Sequence, residues 1–268
     1  MKNSSLLKPE NLVLVGVISC FVLSGFAALL YQTAWMRQFS LVFGTSELAI
    51  AAVLSSYMGG LALGAGLAAR YVGKVTRPVL VYGLLEAGIA LSALSVPLLL
   101  KLASFLYISL LGGQTDPVDA SGLGQSFFYL IIAFVVLLIP TSFMGATLPL
   151  LTKYIVRTNE QVGSRVGLLY ATNTAGAIAG TLVAAFLLLP RFGLSGTVFF
   201  GVAVNFLVFI LAAWLARTFS DRIQQDESSG HAYSELDSKM TPSNIGIRRL
   251  WILPIMLLSG ANSFIYEV

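Results

Sequence analysis

The chain has 268 residues, 57% of them hydrophobic and 10% charged, with a mean hydropathy of +0.85 and a formal net charge of +4. Soluble domains carry about 25% charged residues, so this composition belongs to a membrane protein. A single cysteine (Cys20) and a single histidine (His231) exclude a disulfide framework, a Cys/His metal site of ordinary ligand count, and a Ser-His-Asp or Cys-His catalytic pair.

Six full apolar spans follow one another, over residues 11–35, 47–69, 78–100, 125–151, 166–189 and 195–216, and a seventh begins at Leu250. Each full span holds at least the ~20 residues that carry a helix across a ~30 Å hydrocarbon core. The first follows Lys2 and Lys8, but its run of about 24 residues is too long for the apolar region of a signal peptide. The third runs on past Pro97 and Lys101, which predicts a kink at Pro97, a snorkelling Lys101 and an interfacial helix over 102–111. In the fourth, Pro140 and Pro149 flank Gly145, a pattern that predicts a kinked or interrupted helix. Thr141, Ser142 and Thr147 are placed to satisfy the carbonyls so freed.

Lys and Arg set the orientation. With the N-terminus inside, 13 of the 16 basic residues fall in cytoplasmic segments, and only Arg37, Lys101 and Arg191 lie outside. That is the positive-inside distribution. The basic balance is therefore topological, and no nucleic-acid partner is needed to explain it. Residues 218–249 form a polar cytoplasmic linker whose acids nearly cancel its bases, with His231 solvated in it. It separates a six-helix unit, 1–217, from the start of a second unit, 250–268.

That second start repeats the first. Leu23-Ser-Gly-Phe-Ala-Ala-Leu-Leu-Tyr31 returns as Leu258-Ser-Gly-Ala-Asn-Ser-Phe-Ile-Tyr266, 235 residues on, followed by Gln32 in one copy and Glu267 in the other. Recurrence after six spans is what duplication of a six-helix membrane unit leaves behind. Because the chain stops within the copy, we expect it to be the front portion of a longer protein, or a fragment retaining the membrane part.

Small residues recur every fourth position in three spans: Gly16, Cys20, Ser24 and Ala28; Ala52, Ser56, Gly60, Gly64 and Ala68; Thr172, Gly176, Gly180 and Ala184. Such stripes let helix backbones approach closely, and packing is their simplest role, with a sliding transporter interface as the alternative. Gly64-Ala-Gly66-Leu-Ala-Ala69 matches a dinucleotide fingerprint in form only, since no strand precedes it.

Glu86 is the only acid well inside a complete span, eight residues past Pro78 and so about 12 Å in. Asn173 should lie at similar depth, and Asn205 is midway along the sixth span. A carboxylate there costs several kcal/mol unless paired, protonated or hydrated. Glu86 is therefore expected to point into the bundle toward a polar partner, Asn173 first. Its role is either a structural hydrogen bond between helices or a ligand or proton site. With Tyr170, these residues form the candidate intramembrane polar site. Tyr31, Gln32 and Trp35 fall near the outer surface, where an aromatic belt explains them.

The loop from Gly64 to Lys74 resembles a degraded form of the Gly-rich basic loop between helices two and three of major facilitator transporters, with Ala69 where an acid is expected. More specifically, four motifs taken in order resemble one family. They are Ser24-Gly-Phe-Ala-Ala-Leu-Leu-Tyr31 with Trp35, Gly59-Gly-Leu-Ala-Leu-Gly64, Met144-Gly-Ala-Thr-Leu-Pro149, and Gly167-Leu-Leu-Tyr170-Ala-Thr-Asn173-Thr-Ala-Gly176. The family is the membrane domain of the fused, membrane-bound spermidine synthase-like proteins of bacteria. Gln32 departs from its pattern, which has Glu after the Tyr. The resemblance implies an all-α fold like half of a major facilitator, an inner-membrane location with a cytoplasmic N-terminus, and a polyamine aminopropyltransferase domain beyond this chain. Decarboxylated S-adenosylmethionine would serve that absent domain alone. No catalytic residue can be carried over: Asp116 and Asp119 fall in an outer loop, and Asp221, Asp226 and Asp237 in the linker.

Three functions compete at this stage. The chain anchors such an enzyme and passes a polyamine or related small molecule; it is a half-transporter acting as a homodimer; or it is a scaffold for a membrane complex. In the first case the chain alone is expected to transfer no aminopropyl group to putrescine.

Overall fold

A computed structural model describes residues 9–43, 47–110, 123–156 and 161–218 of the chain. Long apolar runs in a low-charge sequence leave the backbone one way to satisfy its polar groups locally, and the described residues are accordingly helical. The helices are α1 (Pro9–Phe43), α2 (Glu47–Tyr71), α3 (Pro78–Leu110), α4 (Leu123–Ile155), α5 (Val162–Val183) and α6 (Leu189–Thr218). A 3-10 turn (Val72–Lys74) closes α2, and a π turn (Ala184–Leu188) joins α5 to α6. Among the described residues, five helical stretches are long and apolar enough to cross a membrane: Val13–Val42, Ile50–Lys74, Pro78–Leu106, Phe128–Ile155 and Val162–Thr218. Glu267 and Tyr266, the seventh span and the linker beyond Thr218 lie outside the described residues.

The fifth stretch is 57 residues long, about 85 Å if straight, and it is not straight. Gly193 has φ 65° and ψ −170°, a conformation open in practice only to glycine, and the helix breaks there. Side-chain contacts show the reversal. Along α5, Asn173, Gly176 and Gly180 meet Phe21, Val22 and Phe26 of α1 in the same order, so these two helices run parallel. Along α6, Gly201 meets Tyr31 and Leu215 meets Gly16, so α6 runs antiparallel to α1.

The small-residue stripes pack helices together. A side chain on Gly60 or Gly64 of α2 would collide with Thr141 or with the Ser142 backbone of α4, and Gly145 lies as tightly on Leu61. Ser56 Oγ donates to Leu130 O at 3.4 Å on the same face. Gly176 and Gly180 rest on the Val22 and Phe26 carbonyls.

The helix of the fourth span is not interrupted at its prolines. α3 is continuous through Pro97, and α4 through Pro140 and Pro149. The Thr hydroxyls do not serve the carbonyls the prolines leave free, those four residues back. Thr141 donates to Leu137 O at 2.6 Å and Thr147 to Met144 O at 2.7 Å. α2 packs closely on this stretch of α4 through Gly60, Gly64 and Gly145.

At one end of the bundle Lys153 Nζ donates to three carbonyls at the close of α2, Val72 (2.9 Å), Gly73 (3.4 Å) and Val75 (2.6 Å). α2 and α4 therefore end together, beside the start of α3 and the last turn of α6. Arg70, Lys74, Arg77, Lys153, Arg165 and Arg217 share this end, and Arg37, Lys101 and Arg191 lie at the other.

Candidate functional site

The site forms where α1, α3 and α6 meet. α1 and α3 run side by side in the same direction, with Phe21 edge-on to Tyr82 at 6.5 Å. α6 comes back between them, its Ala212 and Phe209 seated on Gly83. One turn further along α3 from Tyr82, Glu86 is wholly buried (0% exposed). Its Oε2 accepts a short hydrogen bond from Asn205 Nδ2 of α6. The hydroxyls of Ser24 on α1 and Tyr82 on α3 also face the carboxyl group. Cys20 and Tyr31, both buried on α1, lie within its electrostatic reach.

The sequence expectation for Glu86 holds in direction and fails in partner. Glu86 does point inward to a polar residue of another helix, and that residue is Asn205. Asn173 instead donates through Nδ2 to Phe21 O at 3.2 Å, sealing α5 to α1 against Gly25. Tyr170 is 67% exposed on the outer side of α5 and takes no part. Both residues are on a helix that α1 screens from α3.

The aromatic-belt reading of Tyr31 and Trp35 is also corrected. Both are fully buried, their rings stacked at 5.1 Å with an interplanar angle of 12°. Tyr31 lies against Gly201, whose missing side chain makes room for the ring. Trp35 is tilted against Tyr57 at 6.4 Å. Gln32, the other half of the repeated motif, is half-buried beside them.

Ser24 and Tyr82 are the site residues that sequence reasoning missed. Ser24 was hidden in a packing stripe, and Tyr82 carried one usable signal, its position one helical turn before the buried acid.

The polar atoms of the site are not all satisfied. Glu86 Oε1, Asn205 Oδ1 and the hydroxyl oxygens of Tyr82 and Tyr31 are buried with no protein hydrogen-bond partner of ordinary geometry. Among the described residues no Lys, Arg or His pairs with Glu86; burial, the hydrogen bond from Asn205 and the nearby Ser24 and Tyr82 hydroxyls are what act on it. A buried carboxylate without a counter-ion is expensive, so the arrangement favours a proton or a small cation on the free Oε1 side. Two unfilled acceptors next to two hydroxyls suit a group with several N–H or O–H donors. Among the described residues no group of three or more His, Cys, Asp or Glu could hold a metal ion. No family model, no curated protein and no solved structure matches the chain.

Proposed function

We propose that the chain is a six-crossing membrane unit, like half of a major facilitator, that binds a small protonated amine at Glu86. The observation that carries this is the Glu86–Asn205 pair, buried between three helices, with an acceptor free on each partner and no protein cation among the described residues. An ammonium group would supply the missing charge and fill Glu86 Oε1, Asn205 Oδ1 and a tyrosine oxygen in one step. The six crossings are supported by the reversal at Gly193 and the antiparallel course of α5 and α6. The gathering of six basic residues at one end supports a cytoplasmic N-terminus.

Together with the four motifs, this supports reading the chain as the membrane region of a spermidine synthase-like fusion protein in a bacterial inner membrane. It anchors the aminopropyltransferase and takes up its amine substrate or product. The test is equilibrium binding of labelled putrescine and spermidine to the full chain in lipid nanodiscs. Binding should be saturable and should weaken about tenfold or more in Glu86→Gln, since a hydrogen bond to a charged group contributes about 1.5–3 kcal/mol. Binding that Glu86→Gln leaves unchanged would refute the amine site and favour the scaffold reading. Amine flux into liposomes by the chain alone would favour the half-transporter.

A further inference from the structure

A line of polar side chains continues from the Glu86 cluster along α1. Ser24, Tyr31, Trp35 and Gln38 lie within about 60° of one another around the helix at 100° per residue. They span about 21 Å from the cluster toward the C-terminal end of α1. Tyr31 and Trp35 are completely buried, and Gln38 is half-buried. Tyr31 Oη, Trp35 Nε1 and Gln38 Oε1 are all shielded from solvent without a protein hydrogen-bond partner.

Isolated orphans of this kind are costly. Three on one face of one helix, leading to two more at Glu86 and Asn205, form a series. Ala27 and Ala28 fill the turn between Ser24 and Tyr31, and Gly201 faces the Tyr31 ring from α6. Water is the molecule small enough to bridge such groups, donating to Gln38 Oε1 and Glu86 Oε1 and accepting from Trp35 Nε1.

We infer that the Tyr31–Trp35–Gln38 face of α1 is a hydrated proton path that opens Glu86 to the end of the bundle opposite the basic cluster. A proton entering beside Gln38 passes along water O–H···O bonds and ends on Glu86 Oε1, leaving the carboxyl neutral, and no bond to carbon changes. Return along the same file empties the site for an incoming cation. The titratable groups facing Glu86 from the packed helices are Cys20 and Tyr31 of α1 and Tyr82 of α3; α6 contributes only the non-titrating Asn205. Glu86 is therefore the one acid on the path. The inference deepens the Glu86 reading and rests on it only in needing an exchangeable carboxyl there, whichever ligand binds.

The test follows the infrared carboxyl band of Glu86, assigned by its loss in Glu86→Gln, after the full chain in nanodiscs is transferred to D2O. Tyr31→Phe, Trp35→Phe and Gln38→Leu should each slow hydrogen–deuterium exchange of that band about tenfold, the rate equivalent of about 1.4 kcal/mol. Val15→Ala, at an exposed position of α1 on the basic side of Glu86, should leave the rate unchanged. The conservative ring substitutions keep the stacked pair, and circular dichroism confirms the fold of each variant. Equal exchange in all variants, slowing by Val15→Ala alone, or no Glu86 band that exchanges would overturn the path. Slowed exchange without amine binding would leave the path standing and remove the amine. Amine binding with unslowed exchange would do the reverse.

Discussion

Asn205 donates its side-chain amide to Glu86 across 119 residues of sequence, joining α6 to α3 inside the bundle. The pair is asymmetric in what its loss should cost. Asn205→Leu strands Glu86 without its closest partner and should destabilise the protein by about 1–3 kcal/mol. Glu86→Gln keeps a hydrogen bond and should cost less, nearer the ~0.6 kcal/mol average of interhelical bonds in membranes. The double variant Glu86→Leu/Asn205→Leu should recover most of the loss, because it leaves neither group orphaned. Unfolding of the wild type, Glu86→Leu, Asn205→Leu and the double variant as a double-mutant cycle measures the coupling, and simple additivity would show that the pair has no structural weight.

Gly64 and Gly66 stand two positions apart on α2 and should respond in opposite ways. The space above Gly64 is filled by the Ser142 backbone, while nothing approaches Gly66 within 4 Å. Gly64→Val should cost about 3 kcal/mol, the upper end for overpacking, because a backbone cannot move aside like a side chain. Gly66→Val should be near neutral. Thermal unfolding in detergent separates them, and equal losses would deny the close α2–α4 contact.

Gly193→Ala tests the reversal between α5 and α6. With φ at 65° and ψ at −170°, a side chain there should cost about 1–3 kcal/mol of backbone strain. Open space surrounds the position, so a steric contribution is absent. A fully stable Gly193→Ala protein would mean that the helix passes this point without breaking.

Lys153 bonds three carbonyls at the close of α2, whereas Lys74 lies over the Tyr71 ring at 5.8 Å. A cation on the last carbonyls of a helix contributes about 0.3–1 kcal/mol when exposed, and more when partly buried. Lys153→Met should therefore lower the unfolding temperature measurably. Lys74→Met should change it less, since an exposed cation over a ring contributes about 0.5–1 kcal/mol at most. Hydrogen exchange of the amides around Val75 should rise only in the Lys153 variant; a rise in both would argue against the cap.

Thr76 and Ser195 lie exposed at opposite ends of the bundle. In a Cys20→Ser background, an impermeant thiol reagent added to intact cells should modify Ser195→Cys and spare Thr76→Cys. The opposite pattern would invert the orientation drawn from the basic residues.

Much of this architecture follows from the sequence taken alone. Apolar runs with almost no charge must be helical wherever water is excluded, whatever surrounds them, and so the helices are legible though their ends are not: α1 runs on to Phe43 and α3 to Leu110, past the expected 35 and 100. The cost of an unpaired carboxylate likewise requires Glu86 to turn inward, and the spacing of Ser56, Gly60 and Gly64 marks a close helix contact before any neighbour is known. The tertiary structure decided which helices meet and at what rotation. Periodicity describes one helix about its own axis and carries no information on its neighbours. Hence depth put Asn173 first as the partner of Glu86, and only the placement of α6 between α1 and α3 selected Asn205. Tyr31 and Trp35 read as a surface belt for the same reason: an amphipathic ring suits an interface or a satisfied core equally well, and only the packing of Gly201 against Tyr31 put both inside.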